Sequence, residues 1–393
     1  MNDNRTNRTL CDSSICTGCK ACVNVCARNA VTVTDNIDSF TAEIDGQKCA
    51  DCGLCNEVCP VLNTISLREN IFCKQGWASE DVRANSSSGG AAAAIISGFI
   101  RAGGYVASCM FKDGDFRFVI TNDLSEAKNF AGSKYVKSDA HFVYREVKEL
   151  LKRGEKVLFI GLPCQSAAVQ NFCRDLPRQS ETADNVSDGA NLYTADLICH
   201  GTPSKEILRM YLAEQGIELA KATEVKFREG NVFGLIVDGK RLAPPNTLDY
   251  YTYAFLKSED YLESCYNCRY AAAKRVSDIT LGDAWGQMAD TDTKGVSLIL
   301  CQSEKGKNLV EQALSGDASG TEDAQSGLQL FDVDIEKAIA ANPQLQHPSE
   351  KTEKRDTYIT RIKEGGSVTA ATKKTFPAFC LKSSVKSIFG GEK

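Results

Sequence analysis

The sequence predicts an α+β ferredoxin-type module followed by an α/β domain. The first part rests on a doubled cysteine run, C-x2-C-x2-C-x3-C, found within residues 16–27 and again within residues 49–60. The second part rests on stretches such as "KVLFIGLPCQSAAVQNFC", in which a strand pattern is followed by a tight turn and a helix pattern. The chain contains no G-x-G-x-x-G fingerprint, so a flavin or nicotinamide held in Rossmann fashion is not predicted.

The composition is that of an ordinary globular protein, with 393 residues, 42% hydrophobic and 25% charged residues, and a net charge of -5. This charge gives no basic surface for nucleic acid. The 18 cysteines are grouped at metal-ligand spacing, which fits a reducing cytoplasm. The N-terminus lacks the apolar segment of a secretory signal, and the longest apolar run is shorter than the roughly 20 residues that cross a bilayer. We expect a cytoplasmic protein without a transmembrane segment.

The cysteine runs predict two iron–sulfur clusters. In bacterial ferredoxins, three cysteines of each run hold one [4Fe-4S] cluster and the fourth ligates the other cluster. A pair of zinc sites would use four thiolates per metal without this interleaved repeat, and is disfavoured. The stretches "AVTVTD" and "FTAEIDG" between the runs alternate like a small β-hairpin. The rule predicts one cluster on Cys16, Cys19, Cys22 and Cys59, and a second on Cys49, Cys52, Cys55 and Cys26.

A polar glycine loop, residues 85–90, precedes a helix pattern that begins with "AAAAIISGF". Hydroxyls and backbone N–H groups at a helix start can bind an anion, so this loop is a candidate phosphate cradle. A flexible linker is the alternative interpretation of the same composition. The candidate residues are Ser86, Ser87, Ser88, Gly89 and Gly90.

Two further cysteines, Cys164 and Cys199, follow predicted strands. The carboxyl ends of strands are where open α/β sheets usually bind ligands. A lone C-x-x-C, formed by Cys265 and Cys268 in "SCYNCRY", is compatible with half of a zinc site, a redox dithiol, or part of a site assembled from distant segments. Cys11 falls outside these patterns, as does Cys73 in the following stretch, and both are interpreted as unligated thiols.

Six motifs in order resemble those of the coenzyme F420 hydrogenase/dehydrogenase beta-subunit family: "RANSSSGG", "GSKYVKSD", "VLFIGLPCQ", "ICHGTPS", "CYNCRY" with "KRVSDITLGDAWG", and "KGVSL". The resemblance covers about residues 75–310, and the ferredoxin module resembles that of the longer family members. It implies an iron–sulfur flavoprotein whose FAD lies in an α/β domain with a mixed sheet. It also implies a third [4Fe-4S] cluster, with Cys164, Cys199, Cys265 and Cys268 as its ligands here.

The resemblance also implies an FAD site. Lys134, His200 and Asp283 are candidates for charge or proton management near the flavin, although an aspartate such as Asp283 is, by itself, most often a turn or cap residue. His200 can also simply brace its turn. The residues that the resemblance assigns to FAD are Ser86, Ser87, Ser88, Gly89, Gly90, Lys134, Tyr135, Gln165, His200 and Gly201.

The sequence departs from the family pattern at two places. Leu162 replaces the threonine of "GTPCQ", and Ala284 replaces the phenylalanine of "GDFWG". These departures put the substrate of the family in doubt more than its cofactors. We expect a ferredoxin domain over residues 1–64, the FAD and iron–sulfur domain over residues 65–345, and a polar C-terminal extension over residues 346–393.

The expected function is that of an oxidoreductase that moves electrons between a two-electron donor or acceptor at FAD, F420-like or unknown, and the ferredoxin clusters. Its partner is then a redox protein or a small-molecule electron carrier. The alternative is an electron-carrier or adaptor subunit that has no substrate of its own. The changes at Leu162 and Ala284 favour that alternative.

Overall fold

A computed structural model describes residues 6–176, 191–244, 247–286, 292, 294–314 and 327–377. The predicted C-terminal extension lies partly outside this range, because residues 378–393 are not among the described residues. The strands are β1 (Arg8–Thr9), β2 (Val31–Asp35), β3 (Phe40–Ile44), β4 (Phe72–Trp77), β5 (Tyr105–Lys112), β6 (Asp115–Thr121), β7 (Val157–Gly161), β8 (Leu192–Leu197), β9 (Val225–Glu229), β10 (Val232–Val237), β11 (Lys240–Arg241), β12 (Ile279–Asp283), β13 (Ser297–Cys301) and β14 (Gln329–Asp332).

Helices occupy most of the remaining described chain, together with short 3-10 segments at Lys128–Phe130, Leu219–Lys221, Glu263–Cys265 and Pro343–Leu345. The α-helices are α1 (Ala21–Val25), α2 (Leu54–Glu57), α3 (Glu80–Ala84), α4 (Ala91–Arg101), α5 (Leu124–Ala127), α6 (Val143–Lys152), α7 (Pro163–Phe172), α8 (Lys205–Glu214), α9 (Tyr250–Leu256), α10 (Glu304–Leu314), α11 (Ile335–Ala340), α12 (Glu353–Lys363) and α13 (Val368–Thr375). None of these helices is both long and apolar enough to pass through a membrane.

The N-terminal module has the predicted hairpin. Strands β2 and β3 pair antiparallel, and β1 adds to the other edge of β3. The short helices α1 and α2 begin within the two cysteine runs and pack against each other. This arrangement confirms the α+β ferredoxin-type module.

The main domain is built on an eight-stranded mixed sheet in the order β14-β4-β13-β12-β8-β7-β5-β6. The central strands β12, β8, β7 and β5 are parallel, whereas the pairs toward both edges are antiparallel. The carboxyl ends of the four parallel strands therefore lie at one edge of the sheet. The α/β domain with a mixed sheet is confirmed.

The sheet is covered on both faces because its central strands are apolar throughout. Along β7, Leu158 and Ile160 pack with α4 and α10, whereas Val157 and Phe159 pack with α6 and α7 on the other face. This alternation follows from the two-residue period of a strand. The run "VLFIG" is fully buried.

A second, three-stranded sheet, in the order β11-β10-β9, packs with α8, α9, α12 and α13. Helices α12 and α13 belong to the segment predicted as a polar extension, yet each buries an apolar side. Tyr358 and Ile362 of α12 and Val368 of α13 are almost inaccessible. The described part of this segment is thus packed on the main domain.

The ferredoxin module is fixed to the main domain through α1. Lys20 pairs with Asp139 at 2.5 Å. The Arg145 guanidinium donates to the backbone carbonyls of Asn24 and Cys26, where the free carbonyls at the end of α1 need donors. A cation at a helix carboxyl end is also favoured by the helix dipole. These contacts hold the cysteine loops of the module against the main domain.

Candidate iron–sulfur and cofactor sites

The first four-cysteine site is buried. Cys16, Cys19 and Cys22 of the first run line one cavity with Cys59, which comes from the end of the second run. All four side chains are only 6–8% exposed. The structure thus brings together the set that the interleaving rule assigns to one cluster.

The second site lies nearer the surface. Cys49, Cys52 and Cys55 line a cavity of about 340 Å³ together with Cys26 from the first run. Cys52 is exposed, and the other three are half-buried. The two sites therefore differ in solvent access.

Cys11 lines the first cavity beside the four predicted ligands. Hydrogen bonding to Cys11 is the main cause that lowers the pKa of Cys59 to about 6 and that of Cys16 to about 7. Thiolates are the form that binds metal, so hydrogen bonding to Cys11 favours the metal-binding form of these two predicted ligands. The sequence gives no signal for this position, because Cys11 lies outside the run.

The four remaining predicted ligands also converge, although they are widely separated in the sequence. Cys164 is in the first turn of α7, Cys199 follows β8, and Cys265 ends a 3-10 segment that precedes Cys268. Burial raises the pKa of Cys268 to about 12, and the neighbouring Cys265 and Cys164 add to this rise. Burial likewise raises the pKa of Cys199, with contributions from Cys265, Cys268 and Cys164. The four thiols thus share one buried environment, which we call the third cysteine site.

The third cysteine site adjoins the first ferredoxin site. Burial raises the pKa of Cys19 to about 12, and Cys164 is among the charges that add to this effect. The Tyr270 hydroxyl, two residues after Cys268, donates to the Pro60 carbonyl at 3.1 Å. The loop that carries Cys265 and Cys268 is therefore in direct contact with the end of the second cysteine run.

A buried ion pair holds that loop against the sheet. The Arg275 side chain is 1% exposed and the Asp196 side chain 0%, and Nη2 of Arg275 lies 2.8 Å from Oδ1 of Asp196. Arg275 also donates to the carbonyls of Tyr270 at 2.7 Å and Leu197 at 3.0 Å. It thereby joins the loop of Cys268 to the strand end that carries Cys199. Arg275 was not predicted from the sequence, since a single arginine in a loop has no characteristic pattern.

Only some of the residues predicted to bind FAD lie close together. Arg228 of β9 links these residues by hydrogen bonds. Its guanidinium donates to Oδ2 of Asp283 at 2.8 Å, to the Tyr135 hydroxyl at 3.2 Å and to the Ser87 carbonyl. The Ser87 hydroxyl in turn accepts from the Ser133 backbone at 2.6 Å. We call Ser87, Tyr135, Arg228 and Asp283 the strand-end site, because Asp283 ends β12. Arg228 was not predicted from the sequence.

The rest of the 85–90 loop is packed on the sheet. The Ser86 hydroxyl donates to the Val82 carbonyl, and that of Ser88 to the Val296 carbonyl at 3.0 Å. A Cβ on Gly89 would lie 2.3 Å from the Gly76 carbonyl oxygen, so only glycine fits there. Gly90 caps the start of α4. These contacts favour a fixed turn over a flexible linker.

Lys134 is turned toward its own backbone. Its ammonium donates to the carbonyls of Phe130 at 2.7 Å and Ala131 at 2.8 Å. Burial lowers its pKa to about 8, which is within reach of proton exchange near neutral pH.

Three candidates lie in the turns after β7 and β8. Gln165 has a structural role, because it accepts from the Leu162 backbone and donates to the Ser138 hydroxyl. Gly201 has φ +130°, and a Cβ there would lie 2.2 Å from the Tyr261 ring. Burial lowers the pKa of His200 to about 4, so its imidazole is neutral at pH 7, and Asp283 opposes this shift. His200 is therefore near the strand-end site, whereas Gln165 is committed to its turn.

The space around Ala284 is closed. Ala284 is buried in a cluster with Val296, Leu298 and Leu300. The Leu162 amide, where the family has threonine, is satisfied by Gln165 at 3.0 Å. Both departures from the family pattern are thus accommodated by the local packing and hydrogen bonding.

The cysteine sites and the mixed sheet define the class of protein: a dicluster iron–sulfur module joined to an α/β domain. Residues 15–63 match the family described as "4Fe-4S dicluster domain". Residues 154–326 match the family described as the C terminus of the coenzyme F420 hydrogenase/dehydrogenase beta subunit. The family resemblance of the motifs is confirmed over residues 154–326, and the dicluster module over residues 15–63.

Curated relatives come from methanogens. The chain is 25% identical over 321 residues to "Coenzyme F420-dependent sulfite reductase" of Methanocaldococcus jannaschii, covering 77% of this chain and 47% of the relative. It is 24% identical over 169 residues to the F subunit of the F(420)H(2) dehydrogenase of Methanosarcina mazei, covering 40% of this chain and 48% of the relative. The chain thus spans about half the length of these relatives.

One solved structure, of the F420-reducing [NiFe] hydrogenase complex from Methanosarcina barkeri, aligns with 70% of this chain and 91% of its own. The identity is 14% and the TM-score 0.43, a value at which two folds are not established as the same.

Proposed function

We propose that the protein is an iron–sulfur flavoprotein oxidoreductase that carries electrons between a two-electron donor or acceptor and the ferredoxin clusters. The observation that carries this proposal is the position of the third cysteine site. Cys199 is followed directly by His200, which is near Asp283 of the strand-end site, while Cys164 is near Cys19 of the first ferredoxin site. The three cysteine sites and the strand-end site therefore follow one another from the sheet edge to the exposed Cys52.

The residues present fit the groups that the family resemblance implies. Each ferredoxin site offers four thiols around a cavity. FAD, when bound, supplies the conversion between two-electron and one-electron transfer. Arg228 would hold it, since its charge is fixed: burial opposes ionisation, but Tyr135 and Asp283 still raise the pKa of Arg228 above its ordinary value. The neutral His200, which is near Asp283, can then donate or accept a proton beside it.

The two-electron partner that we propose is a deazaflavin of the coenzyme F420 type. Both curated relatives described above are named for this coenzyme, and the match to the family domain covers Cys164, Cys199, Cys265 and Cys268. Ala284 is closely packed. The two-electron partner must therefore bind without contact with the aromatic side chain that the family has at this position.

Cofactor analysis tests the proposal most directly. Protein purified without oxygen is expected to contain about twelve irons and one FAD per chain, by acid-labile iron and sulfide assays and by flavin fluorescence. About eight irons would contradict a third cluster. Iron without flavin would overturn the enzyme function and favour the adaptor alternative.

Replacing Arg228 by methionine is expected to release FAD while the iron content stays at the wild-type value. The reason is that the guanidinium joins Ser87, Tyr135 and Asp283, whereas none of the predicted iron ligands is among its hydrogen-bond partners. Arg209→Met, on the exposed side of α8 where Arg209 pairs with Glu206, is the matched control. Retention of a full complement of flavin in the Arg228 variant would show that the flavin binds elsewhere.

A further inference from the structure

Lys137 is a buried cation that the proposed function does not use. It follows the "GSKY" segment, and its side chain is 5% exposed. Its backbone N–H donates to the Pro203 carbonyl at 3.0 Å, which fixes it to the turn after Cys199. Its ammonium lies 3.6 Å from the sulfur of Cys164. In the part of the chain that the structure describes, no carboxylate pairs with it.

The charges that face Lys137 are thiols from two different sites. Besides Cys164, the thiols of Cys265, Cys19 and Cys199 lie within electrostatic range of the buried ammonium. Cys16 also lies within that range. Cys16 and Cys19 belong to the first ferredoxin site, whereas Cys164, Cys199 and Cys265 belong to the third cysteine site. The ammonium is thus a fixed positive charge shared by both.

A cation in this position has a defined effect on electron transfer. When one electron enters a four-iron cluster, no bond is made or broken, and the cluster gains one negative charge. Water is largely excluded here, so a nearby ammonium stabilises that added charge more than it would at the surface. Local charge and hydrogen bonds to the sulfur ligands are among the factors that set cluster potentials.

We propose that Lys137 raises the reduction potentials of the third cluster and the first ferredoxin cluster together, and so lets an electron pass between them. This inference rests on the third cluster of the proposed function. Lys137 thus tunes the reduction potentials of the clusters: its ammonium touches a ligand sulfur and takes no part in bond making. The basic residue predicted from the sequence for this region is Lys134, three residues earlier.

The test compares wild type with Lys137→Gln, Lys137→Arg and a control, Lys152→Gln, whose exposed lysine pairs with Glu149. Each protein is purified without oxygen, its iron is counted, and its clusters are titrated with dithionite while electron paramagnetic resonance spectra are recorded. Lys137→Gln is expected to keep its iron. The reduction potentials of its first and third clusters should each be lower by at least about 59 mV, which is a tenfold change in the one-electron reduction equilibrium. Lys137→Arg and Lys152→Gln are expected to stay near wild type.

The second cluster serves as an internal reference. Its cysteines are half-buried or exposed, so water and salt screen the charge and the shift there should be smaller. Unchanged potentials in an iron-replete Lys137→Gln protein would overturn the tuning role. Loss of iron in that variant, with unchanged potentials of the remaining clusters and rescue by arginine, would also overturn it and assign Lys137 to assembly.

The proposed function fails by a different result. A wild-type protein with about eight irons lacks the third cluster, whatever Lys137 does. The effect of Lys137 on the reduction potential of the first ferredoxin cluster can then still be measured in the same titrations.

Discussion

Replacing Cys268 with alanine is expected to remove about four of about twelve irons from the anaerobically purified protein. The third cysteine site would then offer three thiols in place of four. Alanine has no atom that can bind iron, and the three remaining thiols are buried. Burial raises the pKa of Cys265 and of Cys199, so these thiols remain protonated when no metal binds them. The cluster should therefore be absent rather than incomplete.

The two ferredoxin clusters should survive in this variant, since their eight cysteines line separate cavities. Dithionite should still reduce them, while illumination of the bound flavin with a sacrificial donor should reduce them much more slowly than in wild type. Cys73→Ser is the control, because Cys73 lies in β4 and is half-buried. Unchanged iron in the Cys268 variant would leave the C-x-x-C pair without a cluster.

The ferredoxin sites could be predicted from sequence because their ligands are local. Each run places three cysteines within seven residues, and the exchange of the fourth cysteine follows a general rule. The mixed sheet followed from the family resemblance, and its buried central strands followed from apolar runs such as "VLFIG". Short-range patterns therefore sufficed for these parts of the fold.

The third cysteine site could not be derived from spacing. Cys164 and Cys268 are about a hundred residues apart, and only the packing of the loop against the end of β8 brings them together. The charges around the site were also missed, because Lys137 and Arg228 are single basic residues whose effect depends on what the fold places beside them. A sequence motif marks a ligand far more readily than the charge that acts on it.

Replacing Arg275 with methionine is expected to lower the free energy of unfolding by about 3–5 kcal/mol and to deplete the third cluster. The loss is large because Asp196 would keep a buried negative charge without its partner. One oxygen of Asp196, Oδ2, already lacks a hydrogen bond within the described structure. The measurements are denaturant unfolding without oxygen and iron content.

A double variant, Arg275→Met with Asp196→Leu, separates the two roles of Arg275. Replacing a buried ion pair by apolar side chains is often close to neutral, so most of the stability should return. The carbonyls of Tyr270 and Leu197 would still lack their donor, so the loop of Cys268 should remain loose and the iron low. If the double variant recovered stability and iron together, Arg275 would act through charge balance alone. If Arg275→Met kept wild-type stability and iron, the buried pair would have no part in holding the third site.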